Sequence, residues 1–282
     1  MTKNKSVILW AMSIILMAGV VVYQKTTGPT YPKKGDKEIY GINIDYSLPR
    51  SNDGAYTVKV LILDESRTLH GKYKIKRFKS HDDWSEYELQ RNGDSLSFII
   101  PHQSAAGKVM YQIFLTIGDK PIIVLNKNPV VLRFRNNVPG VVVIFHLIFI
   151  FATITLSVRT GFEAFFRGNK VKIFTILTLL SLILGGFVFG PLMQKFAFGA
   201  YWTGWPMKGL FNIADLTDTK TFVALMFWLI ALWATYKKPE GRKWQIAASI
   251  VLIIVYMIPH SLLGSEIDYT KIEKKKIEQI SE

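Results

Sequence analysis

Apolar residues follow two rhythms along this chain. The first is continuous: five runs, at 7–23, 138–158, 171–189, 221–236 and 244–259, hold almost no charge. A helix rising about 1.5 Å per residue needs about 20 apolar residues to cross a hydrocarbon core about 30 Å thick. Each run comes near that length, the last two drawing on interfacial residues at their ends. Only helices and closed barrels satisfy their backbone polar groups in lipid, and runs this unbroken predict helices. The expectation is one N-terminal anchor and a bundle of four transmembrane helices over 138–260.

The second rhythm alternates. Ile39, Gly41, Ile42 and Ile44 predict a first strand, and Val58, Val60 and Ile62 a second. Tyr73 and Ile75, then Tyr87 and Leu89, then Leu96, Phe98 and Ile100 predict three more, followed by strands over 109–117, 121–125 and 130–134. Turn signals separate them at Asn52-Asp53-Gly54, Asn92-Gly93-Asp94, Ala106-Gly107 and Gly118-Asp119. Short strands at this spacing predict a β-sandwich of the immunoglobulin or fibronectin kind, with Trp84 read as a core residue ahead of a strand-edge aromatic. The chain then divides into a signal anchor at 1–23, an inserted β-sandwich at 24–137 opening on a polar linker, a four-helix membrane domain at 138–260 and a tail at 261–282. Met17-Ala18-Gly19 is followed by valines and not by a clear cleavage site, so the anchor is expected to stay attached.

Charge orients this arrangement. The net charge of +14 comes from 35 Lys and Arg against 21 Asp and Glu. Much of the excess sits beside apolar runs, at Lys3 and Lys5, at 159–172 and at 237–243. Short basic loops stay in the cytoplasm. That predicts a protein of the inner cell membrane, with the N-terminus cytoplasmic and the sandwich and tail outside. Basic residues placed this way report on a membrane, not on a nucleic-acid stripe. The chain has no cysteine, which excludes disulfides, thiol catalysis and cysteine-ligated metal sites.

Polar residues within or beside the apolar runs are the candidate chemistry. His146 lies inside the second run and His260 ends the fifth. An ionisable group at membrane depth is a functional-site hypothesis by default. Ser261, Glu266 and Asp268 follow His260, and Asp215 and Asp218 precede the fourth run, giving an expected polar cluster in the outer leaflet half. Asp218 or Thr217 suits a helix cap, which leaves Asp215 spare. Three chemistries stay open: a metal or haem held by His146, His260 and Glu266, hydrogen bonds between helices, or a proton or ion path. Tyr201, Trp202 and Trp205 form an aromatic loop suited to headgroup level or to a shallow ligand site. Gly186 and Gly190 have the spacing of a close helix approach. The stretch 161–166 is expected to run along the inner interface, with Arg159 and Arg167 facing headgroups.

No phosphate loop, dinucleotide fingerprint, zinc-protease helix or nucleophile elbow is present. The leading expectation is a non-enzymatic membrane subunit of the cell envelope whose sandwich binds a partner or polymer outside while the helices dock against other membrane proteins. The alternative class is a redox, metal- or haem-binding, or proton- or ion-transporting membrane protein. No spacing names a cofactor.

Overall fold

A computed structural model describes residues 2–53, 58–64, 67–199, 201, 216–237, 242–259 and 267–281. The chain forms two compact units, one of Met1–Pro29 with Val138–Ser265, the other of Thr30–Asn137 with Glu266–Glu282.

The helical unit begins with α1 (Lys3–Thr27). After the β-strands come α2 (Gly140–Phe165), α3 (Val171–Leu182), a π-helical segment (Ile183–Phe189), α4 (Gly190–Phe198), α5 (Leu216–Lys237) and α6 (Lys243–Met257). Lys3–Thr27, Gly140–Phe165 and the continuous stretch Val171–Phe198 are each long and apolar enough to cross a membrane, and Lys243–Met257 is apolar but shorter. Trp228 is fully buried and packs in one cluster with Leu252 and with Ala224, Ala231 and Ala248, small residues that let α5 and α6 approach closely.

The expected Gly186–Gly190 pair is corrected. A Cβ on Gly185 would meet Ile150 and Phe149 of α2 at 3.0–3.1 Å, and one on Gly186 would meet Thr221 of α5 at 2.7 Å. On Gly190 it would meet nothing nearer than the chain's own Gly185 carbonyl, at 3.4 Å. The close approach therefore uses adjacent glycines facing two different helices. Pro191 does not end the helix, because the π-helical turn before it absorbs its missing donor and α4 continues to Phe198.

The β unit holds β1 (Lys33–Ile39), β2 (Ile42–Leu48), β3 (Ser51–Asp53), β4 (Val58–Leu63), β5 (His70–Arg77), β6 (Ser85–Glu88), β7 (Gln90–Asn92), β8 (Ser95–Ile100), β9 (Lys108–Thr116), β10 (Ile123–Val124) and β11 (Val130–Arg135), with a last helix α7 (Tyr269–Ser281). One sheet has the order β1-β2-β4-β8-β7 and the other β3-β11-β9-β5-β6, with β10 added to β9. Among the described residues every pairing is antiparallel except β3 with β11. Alternation places Val109, Tyr111, Ile113 and Leu115 of β9 inward, to meet Leu96, Phe98 and Ile100 of β8. Both sheets thus feed one apolar core.

Three strand expectations change. The residues 39–44 form a hairpin and not one strand: Tyr40 and Gly41 both take positive φ, at 52° and 83°, and Ile39 pairs with Ile42. Tyr87 and Leu89 do not share a strand: Tyr87 lies in β6, and Leu89 falls between β6 and β7, which join different sheets. Asn52 and Asp53, read as a turn, lie in β3. Trp84 is not core; it is 37% exposed just before β6.

Candidate functional site

Of the expected outer cluster, His146 and Asp268 are described, while His260, Ser261, Glu266, Asp215, Trp202, Trp205 and the side chain of Asp218 lie outside the described residues. His146 Nδ1 donates to the Gly185 carbonyl at 3.0 Å. That carbonyl also accepts from the Gly190 amide, five residues along the π-helical turn. The hydrogen bond puts the imidazole proton on Nδ1 and leaves Nε2 as the ring's lone-pair nitrogen. Asp268 accepts from Thr270 Oγ1 at 2.5 Å and from the Lys271 amide at 3.4 Å, which is a cap on α7. Those bonds, the Thr270 hydroxyl first, hold its carboxyl below the usual range. Tyr201 is exposed, with Lys195 Nζ 5.2 Å from its ring centre.

Two polar groups outside the expected cluster meet at the end of α6. Lys220 Nζ donates to the Ile258 carbonyl at 2.6 Å, and Gln24 Nε2 donates to the same oxygen at 2.8 Å and to the Tyr256 carbonyl. They satisfy carbonyls that the end of α6 leaves without helical partners, and so tie α1 and α5 to it.

The opposite end of α2 carries a buried pair of opposite charges. Arg159 is fully buried, which corrects the expectation that it faces headgroups. Its Nη1 lies 2.7 Å from Glu163 Oε2, one turn on, and its Nη2 donates to Ser6 Oγ at 3.3 Å. The guanidinium sits 5.5 Å from the Trp10 ring centre and 4.9 Å from that of Phe174. Its other carboxylate oxygen, Glu163 Oε1, accepts from the Lys170 amide at 3.0 Å. A Cβ on residue 168 would fall 2.0 Å from that oxygen, so Gly168 is the residue that lets the carboxylate seat there. Beside it opens a cavity of about 350 Å³ lined by Thr2, Lys3, Ser6, Glu163, Asn169 and Lys170. The sequence shows the pair only as an Arg and a Glu at i,i+4 in a charged stretch, which does not say that both turn inward.

In the β unit, β5 presents Lys72, Lys74 and Lys76 along one face, opposite Phe114, Gln112 and Met110 of β9. Lys74 Nζ lies 5.3 Å from the Phe114 ring centre, Lys76 Nζ 5.5 Å from Trp84 and Lys108 Nζ 5.4 Å from Phe78. Glu86 bridges Lys72 and Lys74 at 3.2 and 3.1 Å. At the end of β5, Arg77 grips both oxygens of Asp82 at 2.6 and 2.7 Å, reaches Glu273 of α7 at 3.1 Å and lies over the Tyr269 ring. The hydrogen-bonded guanidinium holds the Asp82 carboxyl down to about 2. Backbone bonds from Ile267 to the Ala106 carbonyl and from Thr270 to the Lys79 carbonyl, each 3.2 Å, complete the seating of α7.

No protein-family model matches this chain, and no curated protein is detectably similar to it. The functional reading therefore rests on these sites.

Proposed function

We propose that this protein is a non-enzymatic membrane subunit of a cell-envelope assembly whose β unit engages an acidic surface of a partner protein. The observation that carries the reading is the lysine–aromatic face of β5 and β9. Interleaved Lys74, Lys76, Phe114 and Trp84 offer both charge and ring area, the combination that concentrates binding energy at interfaces. Reversing charge with Lys74→Glu and Lys76→Glu in the full chain is expected to weaken photo-cross-linking to the partner in native membranes more than tenfold. Recovery of the unaltered protein as a lone monomer, with no cross-linked species, overturns the proposal.

The setting is five crossings of the inner membrane, N-terminus in the cytoplasm, sandwich and α7 outside, with α2, α3–α4, α5 and α6 as the four-helix bundle. Basic loops at 159–172 and 237–243 support it. So does the membership of α7 in the same compact unit as the strands, which fits an even number of crossings between them. An immunoglobulin-like sandwich is supported by strand order. With β2, β4, β8 and β7 as strands A, B, E and D, the other sheet reads G, F, C in β11, β9 and β5. In this cysteine-free chain, cysteines placed at Asn52 and at Lys274 are expected to react with an impermeant reagent from the outside and one at Lys172 only after permeabilisation. Labelling of all three from one side sinks the topology.

A second reading is favoured by His146 alone. A histidine whose Nδ1–H is fixed on a carbonyl presents Nε2 in one orientation, as metal- and haem-ligating histidines do. With His260 and Glu266 as further ligands, the protein would carry redox or transport chemistry. An optical spectrum and elemental analysis of the purified protein separate the readings. A chromophore or stoichiometric metal lost in His146→Ala supports this one, and a metal-free, colourless protein removes it.

A further inference from the structure

We infer that the cavity beside the Arg159–Glu163 pair holds the phosphate of an anionic phospholipid headgroup. Its wall carries two lysines, Lys3 and Lys170, two hydroxyls, Thr2 and Ser6, and the Asn169 amide. Neither lysine has a carboxylate partner among the described residues. The acid in the wall, Glu163, is already neutralised by Arg159 at 2.7 Å, so the ionic character left to a ligand is positive. Arg159 and Ser6 fix α1 against α2, and Glu163 fixes the start of α3 through the Lys170 amide, so the pocket is held in shape by buried bonds.

Two helices begin at this cavity. Thr2 caps α1 and Lys170 precedes α3. Thr2 Oγ1 accepts from the Lys5 amide and Glu163 Oε1 from the Lys170 amide; the other first-turn amides lack intrahelical acceptors, and the positive ends of both dipoles favour a phosphate. The cavity lies at the ends of α1, α2 and α3, the three stretches long enough to span a bilayer or begin a span, which is headgroup level. Exposed Arg167 and Lys172 lie two residues along the chain from Asn169 and Lys170 of its wall, while Ile8, Phe165 and Ile173 expose apolar area for acyl chains. Basic pockets between helices at the cytoplasmic face bind anionic headgroups for these reasons. A free phosphate or nucleotide shares the headgroup's chemistry but gains nothing from the apolar flank.

The test uses the full chain, purified in mild detergent and reconstituted in nanodiscs of phosphatidylcholine doped with phosphatidylglycerol. Native mass spectrometry of the released protein is expected to show phosphatidylglycerol retained and phosphatidylcholine not. Lys3→Gln and Lys170→Gln are each expected to reduce retention about fivefold, with an unchanged unfolding midpoint showing that the fold survives. Lys243→Gln, a basic residue outside the cavity, is expected to leave retention intact. Equal losses in all three variants overturn the site in favour of diffuse surface attraction. Displacement of the lipid by inorganic phosphate or a nucleotide overturns the lipid as occupant, and absence of any enrichment overturns the inference as a whole.

Discussion

Both units of this chain bury apolar residues, but they differ in what they bury beside them and in what they expose. In the β unit the core is apolar: Ile44, Ile62, Leu96, Ile113 and Leu132 are shut from solvent while lysines and glutamates line the strands outside. In the helical unit Thr153, Ser157, Arg159, Thr160, Glu163, Thr178, Gln245 and Ser249 are buried, while Ile8, Ile15, Ile144, Ile148, Leu180 and Ile254 are exposed. Water rewards the first pattern. The second is stable only where the surroundings are as apolar as isoleucine, so that polar groups seek one another inside. The inversion is an argument for lipid around the helices that does not depend on their lengths.

Removing one partner from each unit's buried ion pair gives the widest contrast. Arg159→Ala leaves the buried Glu163 charge without its partner, and is expected to cost about 3–5 kcal/mol. Arg91 in the β unit grips Asp64 at 2.6 Å, but its side chain is 26% exposed, and Asp64 also accepts from the Leu69 amide at 3.0 Å. Arg91→Ala is expected to cost less, about 1.5–3 kcal/mol, the range for one charge-assisted hydrogen bond. Unfolding midpoints in nanodiscs measure both. Replacing both members, Arg159→Met with Glu163→Leu, is expected to restore most of the loss. If the double variant stays as unstable as the single, burial of an unpaired charge is not the cause.

Packing gives the next contrast. Ile113→Ala opens a cavity in the sandwich core and is expected to cost about 2–5 kcal/mol. Thr178→Val removes a buried contact of 3.2 Å with Thr160 while keeping shape, and is expected to cost only about 0.6 kcal/mol. Both hydroxyls bond back to their own helix, Thr160 to Leu156 and Thr178 to Phe174, so little is left unsatisfied. A loss in Thr178→Val as large as that in Ile113→Ala would make the polar belt the main support of the bundle.

The legible part of this fold was whatever a single period could carry. Alternation gave β8 and β9, and unbroken apolar runs gave α1 and α2. Short connections hid the rest. Gly41 reads as a strand residue until Tyr40 beside it is known to take positive φ. The parallel β3–β11 pair joins residues from opposite ends of the unit, which no local pattern encodes. His146 was visible because a lone ionisable residue stands out in an apolar run. Arg159 and Glu163 were hidden because they stand among other charges, and sequence does not say which charge a helix turns inward. The tail looked like a basic appendage; its docking depends on Arg77, far away in the chain.

The smallest expected effect lies where that tail meets the sandwich. Asp82 has an ordinary value of 3.8 and is held down to about 2, first by its hydrogen bonds from Arg77. A carboxyl whose native pKa lies below its unfolded value adds stability that is complete above the unfolded value and is lost as pH falls through the native one. The window is therefore about pH 4 to about pH 2. Within it Asp82 takes up a proton, Arg77 loses its fork, and Glu273 is left as the guanidinium's carboxylate at 3.1 Å. Arg77→Gln is expected to return the Asp82 titration to near its ordinary value, read by the carboxyl carbon's NMR shift, and to speed amide exchange in α7 above pH 4. The helical unit, whose ion pair is closed to solvent, is expected to show no matching change in exchange over that window. A midpoint for Asp82 that stays near 3.8 in the unaltered protein would mean that Arg77 contacts Asp82 without binding its charge, leaving Tyr269, Ile267 and Thr270 to hold the helix.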